Sequence, residues 1–308
     1  MFVIKMRTLI YYFAIFAVTL ASFGIIKLYS GENSAPATAP APTEKVLVDE
    51  MTEEDSLESS AKKMTVDVPI LMYHSILRST NTHGDYIISE AAFEKDLKFL
   101  KENGYTTIVM QDLINFVEKG TPLPEKPVVL TFDDGYSNNF LYAFPLLKKY
   151  DSKAVLSIIG YYTDLYTDTP DQNPSYSHVT WNDVKKMIDS GLVEMQNHSY
   201  NLHTTDKGRN GSKKKRGESD DAYKAMLTED LGKLQDKFKQ NTNYIPTTFT
   251  YPFGSVSNAS FDIIKEMGFK ASLSCESGMN KVSRDSECLY MMKRYLRTQK
   301  KSAESILK

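Results

Sequence analysis

Two adjacent carboxylates and a pair of histidines are the residues of this sequence best suited to chemistry. Asp133 and Asp134 follow the apolar run PVVLTF, and His198 and His203 frame the stretch HSYNLH. Neighbouring carboxylates at the end of a buried strand repel each other, so a cation is needed to keep both ionised. One carboxylate and two imidazoles form the ligand set of a hydrolytic metal site. Asp134, His198 and His203 are therefore candidate ligands of one divalent ion, which leaves Asp133 free to accept a proton from the attacking water.

Two further polar motifs follow apolar runs of the same kind. His74 comes directly after VPILMY, and the stretch YPFG, Tyr251 to Gly254, comes after TTFT. Taken singly, each motif also fits an ordinary role, because an Asp-Asp-Gly is frequently a turn and His74 could be a core histidine. The spacing of the histidines in HSYNLH is weak on its own as well. Together, the four motifs at the ends of apolar runs favour one shared site.

The apolar runs are predicted to be strands of a parallel sheet with helices between them. PVVLTF, residues 127–132, is a continuous β-rich run, as expected for a central strand. The predicted helices include 90–103, which begins after Ser89 and ends at Gly104, and 181–190. Seven or eight such alternations predict an α/β fold, an irregular (β/α) barrel, with an open doubly wound sheet as the alternative. In both folds the working residues lie at the carboxyl ends of the strands, which would bring the four motifs together.

The N-terminal residues 1–29 are predicted to be a membrane anchor. Leu9 to Ile26 form an uncharged run, preceded by Lys5 and Arg7. This run is just long enough to cross a bilayer, and the basic residues before it place the N-terminus inside. A cleaved signal peptide is the alternative. The expected localisation is the cell membrane, crossed once, with the remaining chain outside the cytoplasm.

Residues 30–65 are predicted to be a disordered tether between the anchor and a catalytic domain at 66–308. The tether begins with SGENSAPATAPAPTEK and continues into an acidic tract with few large apolar groups. Such a composition buries too little apolar surface to fold. The tether would let the catalytic domain work at some distance from the membrane.

The overall composition is that of a globular protein without a strong net charge. The 308 residues are 25% charged and 41% hydrophobic, and 37 basic against 39 acidic side chains give a net charge of -2. No global field would attract nucleic acid, so no nucleic-acid partner is expected. Nothing in the sequence indicates a protein partner. Cys275 and Cys288 could form one bridge outside the cell or be two buried thiols.

The motifs TFDDG, HSYNLH and YPFG, in this order, resemble those of the polysaccharide deacetylases of carbohydrate esterase family 4, the NodB homology domain. The initial LMYHSI strengthens the resemblance, which covers roughly residues 66–308. The five-residue step from His198 to His203 is similar to the branch that contains the poly-N-acetylglucosamine deacetylases. The resemblance implies that Asp133 is the general base and that Asp134 and both histidines bind the metal. It also implies that the third motif lines the substrate groove.

Within the third motif, the resemblance assigns Tyr251, Pro252 and Phe253 to the groove, and the backbone N–H of Phe253 to the oxyanion. Two departures from the family pattern stand out. Thr250 occupies the position where many members have an arginine that orients the base, and Arg294 on the final strand is predicted to replace it. No histidine follows His203 to act as general acid, so His74 is the candidate for that role.

The function that follows from the resemblance is hydrolysis of N-acetyl groups on a cell-envelope polysaccharide. The substrate would be peptidoglycan or exported poly-N-acetylglucosamine, and the products would be acetate and a free amine. Zinc is the first expectation for the metal, with iron, cobalt or nickel as alternatives. An O-acetyl esterase of the xylan type and a carbohydrate-binding module without turnover are the competing hypotheses. A peptidase is disfavoured because the sequence contains no HExxH.

Overall fold

The structure, a computed structural model, describes residues 65–78 and 84–308. The predicted membrane anchor, and the predicted tether up to residue 64, lie outside these residues. Within the described part of the chain, no helix combines the length and the apolar character that crossing a membrane requires. The described residues therefore correspond to the predicted catalytic domain.

Most strands of the described residues belong to one parallel sheet. The strands are β1 Val66–Val68, β2 Ile70–Tyr73, β3 Ser75–Leu77, β4 Ile87–Ser89, β5 Thr106–Ile108, β6 Pro127–Phe132, β7 Ala154–Ile158, β8 Val193–Asn197, β9 Thr248–Thr250, β10 Ala271–Leu273, β11 Asn280–Val282 and β12 Tyr295–Leu296. Seven of them follow the order β10-β9-β8-β7-β6-β2-β12, and β5 pairs with β6 beside this path. All pairings in this sheet are parallel. The predicted α/β class with seven or eight parallel strands is confirmed.

The last segment of the chain lies between the two edges of the sheet. Met292 forms a parallel bridge with Leu273 of β10, and a few residues later β12 pairs with β2. The same segment therefore contacts β10 at one edge of the sheet and β2 near the other edge. These contacts close the sheet into an irregular barrel. Because β12 contains only two residues, this closure is short. Outside the barrel, β1 pairs with β11 and β3 pairs with β4.

The helices of the described residues are α1 Glu90–Glu102, α2 Met110–Lys119, α3 Phe144–Tyr150, α4 Gly160–Asp168, α5 Trp181–Asp189, α6 Asp220–Thr242, α7 Ser260–Glu266 and α8 Ala303–Leu307. Helices α1 and α5 begin at capping residues that can be read from the sequence. The Ser89 side chain accepts a hydrogen bond from the N–H of Ala92 at 3.1 Å, which caps α1. Thr180 and Asp183 form a capping box at the start of α5. In contrast, α4 has no side-chain cap, and the sequence did not predict it.

The central strand β6 is buried on both faces, which explains its continuous apolar run. Val128, Leu130 and Phe132 pack into one apolar cluster with helices α1, α3 and α5. Val129, on the opposite face, packs into a second cluster that includes Val155 of β7. A strand enclosed in this way has little freedom to shift its register. The residues that follow it are consequently held in fixed positions.

Candidate active site

Four strands end at the same rim of the sheet, and each is followed by one of the polar motifs. Asp133 follows β6, His74 follows β2, His198 follows β8 and Tyr251 follows β9. These ends surround a central cleft of about 520 Å³. Its lining includes His74, Asp133, Asp134, His198, His203, Phe253 and Cys275. The structure thus brings the predicted motifs together at the carboxyl ends of the strands, as the fold class requires.

The backbone turns sharply where these strands end. Asp134, Ser199 and Phe253 all have left-handed backbone angles, with φ of 73°, 73° and 58°. Left-handed backbone is costly for residues other than glycine and is concentrated at functional sites. Gly135 follows at φ 79°, and a Cβ added there would lie 2.9 Å from Cγ2 of Ile158. The Asp-Asp-Gly turn therefore depends on its glycine both for conformation and for space.

The three predicted metal ligands converge on one point. Asp134 Oδ1 lies 3.5 Å from Nε2 of His198 and 3.3 Å from Nε2 of His203. One ligand atom from each of the three side chains lies within 4.8 Å of the others. Asp134 Oδ1 is buried and has no hydrogen-bond partner among the described residues, although such atoms are nearly always paired. This donor set and this unpaired oxygen fit a divalent metal ion.

The ring of His198 is oriented by the backbone of β9. Its Nδ1–H donates a hydrogen bond to the carbonyl oxygen of Thr250 at 2.8 Å. With the proton on Nδ1, the lone pair lies on Nε2, the atom that faces Asp134. Burial would raise the pKa of Asp134, yet its contacts with His198 and the other histidines lower that pKa well below its ordinary value. Both observations indicate that Asp134 is an ionised carboxylate and that His198 presents a lone pair on Nε2. The two side chains can therefore bind the same cation.

The loop between the two histidines is held by a carboxylate of helix α6. Asp230 accepts hydrogen bonds from the N–H of Tyr200 at 2.7 Å and from the N–H of Asn201 at 2.9 Å, one on each oxygen. Within the loop, the N–H of Ser199 donates to Asn197 Oδ1 at 2.8 Å. These contacts fix the segment that carries His198 and His203. Asp230 was not predicted from the sequence, and its only signal is a charged residue on the helix face that buries Leu227, Leu231 and Leu234.

Asp133 does not belong to the metal-ligand cluster and is held instead by Arg294. The two guanidinium nitrogens donate to Oδ1 at 2.7 Å and to Oδ2 at 2.9 Å, and Arg294 is fully buried. Burial alone would raise the pKa of Asp133, but the positive charge of Arg294, with His198 and His74, lowers it below its ordinary value. Arg294 thus occupies the place predicted for it, beside the candidate base.

His74 also lies close to Asp133. Its Nε2 is 3.9 Å from Oδ2 of Asp133, and its ring packs edge-on against Tyr86. Burial lowers the pKa of His74, and the carboxylates of Asp133 and Asp134 oppose that shift. Two groups that can carry protons therefore face one side of the cleft, next to the metal ligands.

Comparison with known proteins agrees with this geometry. Residues 120–272 match the family model described as Polysaccharide deacetylase. The chain belongs to the polysaccharide deacetylase family. The poly-β-1,6-N-acetyl-D-glucosamine N-deacetylase of Escherichia coli (strain K12) is 27% identical over 214 residues, which cover 64% of this chain and 32% of that protein. The chain therefore matches only about a third of the length of this relative.

Two further proteins match this chain over more of their own length. The protein of the same name from Staphylococcus aureus (strain N315) is 26% identical over 192 residues, 62% of each chain. Among solved structures, the de-N-acetylase from Aggregatibacter actinomycetemcomitans has a TM-score of 0.67 and 26% identity. That match covers 79% of this chain and 99% of the other. The family match includes Asp133, Asp134, His198 and His203, whereas His74 and Arg294 lie outside it.

The third motif, Tyr251 to Gly254, lines the cleft only in part. Phe253 lines the cleft, is half exposed, and packs against His203 with ring centres 4.1 Å apart. Tyr251 is completely buried, and its hydroxyl is hydrogen-bonded to Ser260 at 2.7 Å. Pro252 is buried and does not line the cleft either. The prediction that Tyr251 and Pro252 contact substrate in the groove is therefore wrong, because their side chains belong to the core of the domain.

The two cysteines are both free thiols. Cys275 lines the central cleft, and its Sγ lies 3.8 Å from a guanidinium nitrogen of Arg294. Cys288 packs beside the cluster around β10. No bridge joins them, and the alternative of two buried thiols is not met either, because Cys275 is exposed and Cys288 is only partly buried.

Proposed function

We propose that the chain is a metal-dependent hydrolase that removes N-acetyl groups from a polymer of N-acetylglucosamine. The observation that carries this proposal is the arrangement of one cleft. Asp134, His198 and His203 converge there as a metal-ligand set, beside a separate carboxylate, Asp133, that an arginine holds ionised. The names of the bacterial relatives support poly-β-1,6-N-acetylglucosamine as the first candidate substrate.

Asp133 is the general base of the proposed reaction. Its carboxylate accepts a proton from the water that attacks the acetyl carbon, and its lowered pKa keeps it ionised for this task. Two hydrogen bonds from Arg294 leave further lone pairs on the same oxygens for that proton. The arginine thus orients the base without occupying it completely.

His74 is the proposed general acid, and Phe253 provides an oxyanion contact. As the carbon–nitrogen bond breaks, His74 gives a proton to the departing amine, so the products are acetate and a free glucosamine nitrogen. The backbone N–H of Phe253 donates to the oxygen that becomes negatively charged, a contact worth about 3 kcal/mol. Both residues line the cleft beside Asp133.

Asp134, His198 and His203 would hold one divalent ion. When bound, such an ion makes water more acidic and polarises the acetyl carbonyl. A carboxylate with two imidazoles suits zinc first, and also iron, cobalt or nickel. The part of these three residues is to fix the position of the ion at the rim of the barrel.

The proposed location is the outer face of the cell membrane. The apolar run from Leu9 to Ile26 and the acidic, proline-rich residues after it support an anchor and a tether. Exported poly-N-acetylglucosamine and peptidoglycan are the polymers that an enzyme held there would meet. Both polymers are therefore tested as substrates.

The proposal is tested by acetate release from β-1,6-linked N-acetylglucosamine oligomers. Peptidoglycan strands and O-acetylated xylan serve as competing substrates, and each is assayed with metal-loaded and with metal-free protein. We expect acetate from an N-acetylated glycan only when metal is present. Acetate mainly from xylan would identify an O-acetyl esterase, and binding of oligomers without any acetate release would identify a carbohydrate-binding module.

A further inference from the structure

A second cleft opens beside the central one. It has a volume of about 390 Å³, and its wall contains Tyr136, Tyr162, Tyr166, Tyr176 and His178, which we call the aromatic cleft. Asp134, Tyr136, Ser175 and His203 line both clefts. A ligand in the aromatic cleft would therefore lie directly next to a ligand at the metal-binding residues. The proposed chemistry gives no task to Tyr162, Tyr166, Tyr176 or His178.

The wall of the aromatic cleft is a stack of rings built around His178. The His178 ring lies nearly parallel to Tyr162, with centres 4.4 Å apart, and to Tyr166, at 5.6 Å. Tyr136 packs against His178 at 4.8 Å. Nδ1 of His178 is buried and unpaired among the described residues. Such a surface offers flat apolar area together with polar groups at its edges.

The backbone holds this wall in place before any ligand binds. Tyr136 and His178 form an antiparallel bridge, so the segment after the Asp-Asp-Gly turn pairs with the segment that carries His178. The N–H of Ser137 donates to the carbonyl of Ser177 at 2.8 Å, and Asn138 Nδ2 donates to the carbonyl of Pro174 at 2.8 Å. A binding surface that is already ordered loses little entropy when a ligand arrives.

Two phenols place hydrogen-bonding groups at the ends of the cleft. Tyr136 lines both clefts, so its phenol lies where the two clefts meet. At the outer end, the hydroxyl of the half-exposed Tyr176 donates to Asp171 at 2.7 Å. The cleft therefore joins apolar ring surface with polar edges, which is the combination found in binding sites for small polar ligands.

Resting on the proposed function, we propose that the aromatic cleft binds the sugar residue next to the one that loses its acetyl group. A polymer that places one sugar at the metal ligands must continue out of the central cleft, and the aromatic cleft is joined to it. A pyranose ring has an apolar C–H face that packs on aromatic rings and hydroxyl groups that bond at their edges. The cleft would thus make the enzyme prefer a polymer over a single sugar.

The test compares Tyr162→Ala with Tyr161→Ala on N-acetylglucosamine oligomers of increasing length. Tyr161 is the adjacent residue of α4, is 42% exposed, and does not line the cleft, so it is a matched control. We expect Tyr162→Ala to lower kcat/KM by about fivefold to tenfold on long oligomers. On N-acetylglucosamine alone, which leaves the aromatic cleft empty, its kcat/KM should stay within about twofold of the wild type, as should that of Tyr161→Ala on every length.

A loss that is equal for every length would overturn the proposal, because it would indicate a general distortion of the site. The absence of any loss would overturn it as well. If Tyr162→Ala does not fold, Tyr176→Ala at the exposed end of the cleft replaces it, with the same expected dependence on length.

Binding measured by calorimetry separates this inference from the proposed function. Oligomers are titrated into the Asp133→Asn protein with and without Tyr162→Ala, which requires no turnover. Loss of the affinity gained with length would support the cleft even if the wild-type chain released no acetate. Unchanged affinity would contradict the cleft even if the wild-type chain were an active deacetylase.

Discussion

Two arginines in the last part of the chain, Arg294 and Arg297, each form a buried pair with an aspartate. The two pairs differ in their surroundings. Arg294 donates to both oxygens of Asp133, and Arg297 donates to both oxygens of Asp96, at 2.5 and 3.1 Å. Both arginines are almost completely buried. Asp133 of the first pair lines the central cleft, whereas the second pair joins helix α1 to the C-terminal segment.

The difference between the pairs lies in what else the carboxylate contacts. Asp96 also accepts hydrogen bonds from the N–H of Ala303 at 3.0 Å and from the hydroxyl of Tyr73 at 3.2 Å. Burial raises its pKa in spite of these contacts. Asp133 faces an open cleft with two histidines nearby, and its pKa is lowered. A buried ion pair thus has a structural role when hydrogen-bond donors surround its carboxylate. It can take part in catalysis when one side of the carboxylate faces a cleft.

Removal of the metal is expected to have the largest effect on acetate release. A chelator should abolish acetate release, by about a thousandfold or more, because the ion both acidifies water and polarises the substrate. Adding back a divalent ion should restore activity, and the Arg297→Lys protein should respond in the same way. Full activity in metal-free protein would place the chemistry outside the cluster of Asp134, His198 and His203.

The next largest effect is expected from Arg294→Lys. Lysine keeps the charge but cannot donate to both carboxylate oxygens in the same geometry, so kcat/KM should fall by about tenfold to a hundredfold. Asp133 acts only when ionised, and weaker stabilisation of its charge raises its pKa. The acidic limb of the pH profile of kcat/KM should therefore move to higher pH. A lower rate with an unmoved acidic limb would mean that Arg294 does not tune the base.

A smaller effect is expected from Asp230→Asn, which separates ligand positioning from ion pairing. Asparagine has one carbonyl oxygen, so it can accept from only one of the two N–H groups of Tyr200 and Asn201. Metal affinity, measured by competition with a chromogenic chelator, should fall by about tenfold. Asp236→Asn, at an exposed position of the same helix, is the control. Equal affinities for the two variants would show that the loop keeps its shape without Asp230.

The smallest effect on activity is expected from Arg297→Lys. The change leaves Asp96 with fewer donors in a buried place, so the free energy of unfolding in urea should fall by about 1 to 3 kcal/mol. Acetate release should stay within about threefold of the wild type, because Asp96, the partner of Arg297, does not line the cleft, whereas Asp133, the partner of Arg294, does. A large loss of kcat at unchanged stability would remove the distinction between the two pairs.

The sequence predicted those parts of the site that depend on strand ends. PVVLTF is a continuous β-rich run, and LVEMQN continues the alternation of strands and helices, so the residues after them, Asp133 and His198, could be placed at one rim. The placement of Asp133 and His198 needs only the pattern of strands and the topology of the fold. Arg294 was proposed from the family resemblance, which implies an arginine beside the base where this chain has Thr250.

The remaining features depend on contacts that leave no local pattern. The carbonyl of Thr250 orients His198, and any residue type could supply that carbonyl. Asp230 reaches the histidine loop from a helix that follows a long polar segment. Tyr251 was assigned to the groove by its motif, but packing turned its ring into the core. The aromatic cleft combines residues from α4, a helix that the sequence did not predict, with His178.

The most direct test of the central claim is a paired measurement on Asp133→Asn of acetate release and of metal content. If Asp133 is the base and Asp134, His198 and His203 are the ligands, acetate release should fall by about a thousandfold while the metal content stays near that of the wild type. Loss of the metal together with the activity would contradict the division of roles between the two carboxylates. Retained activity with bound metal would contradict the assignment of Asp133 as the base.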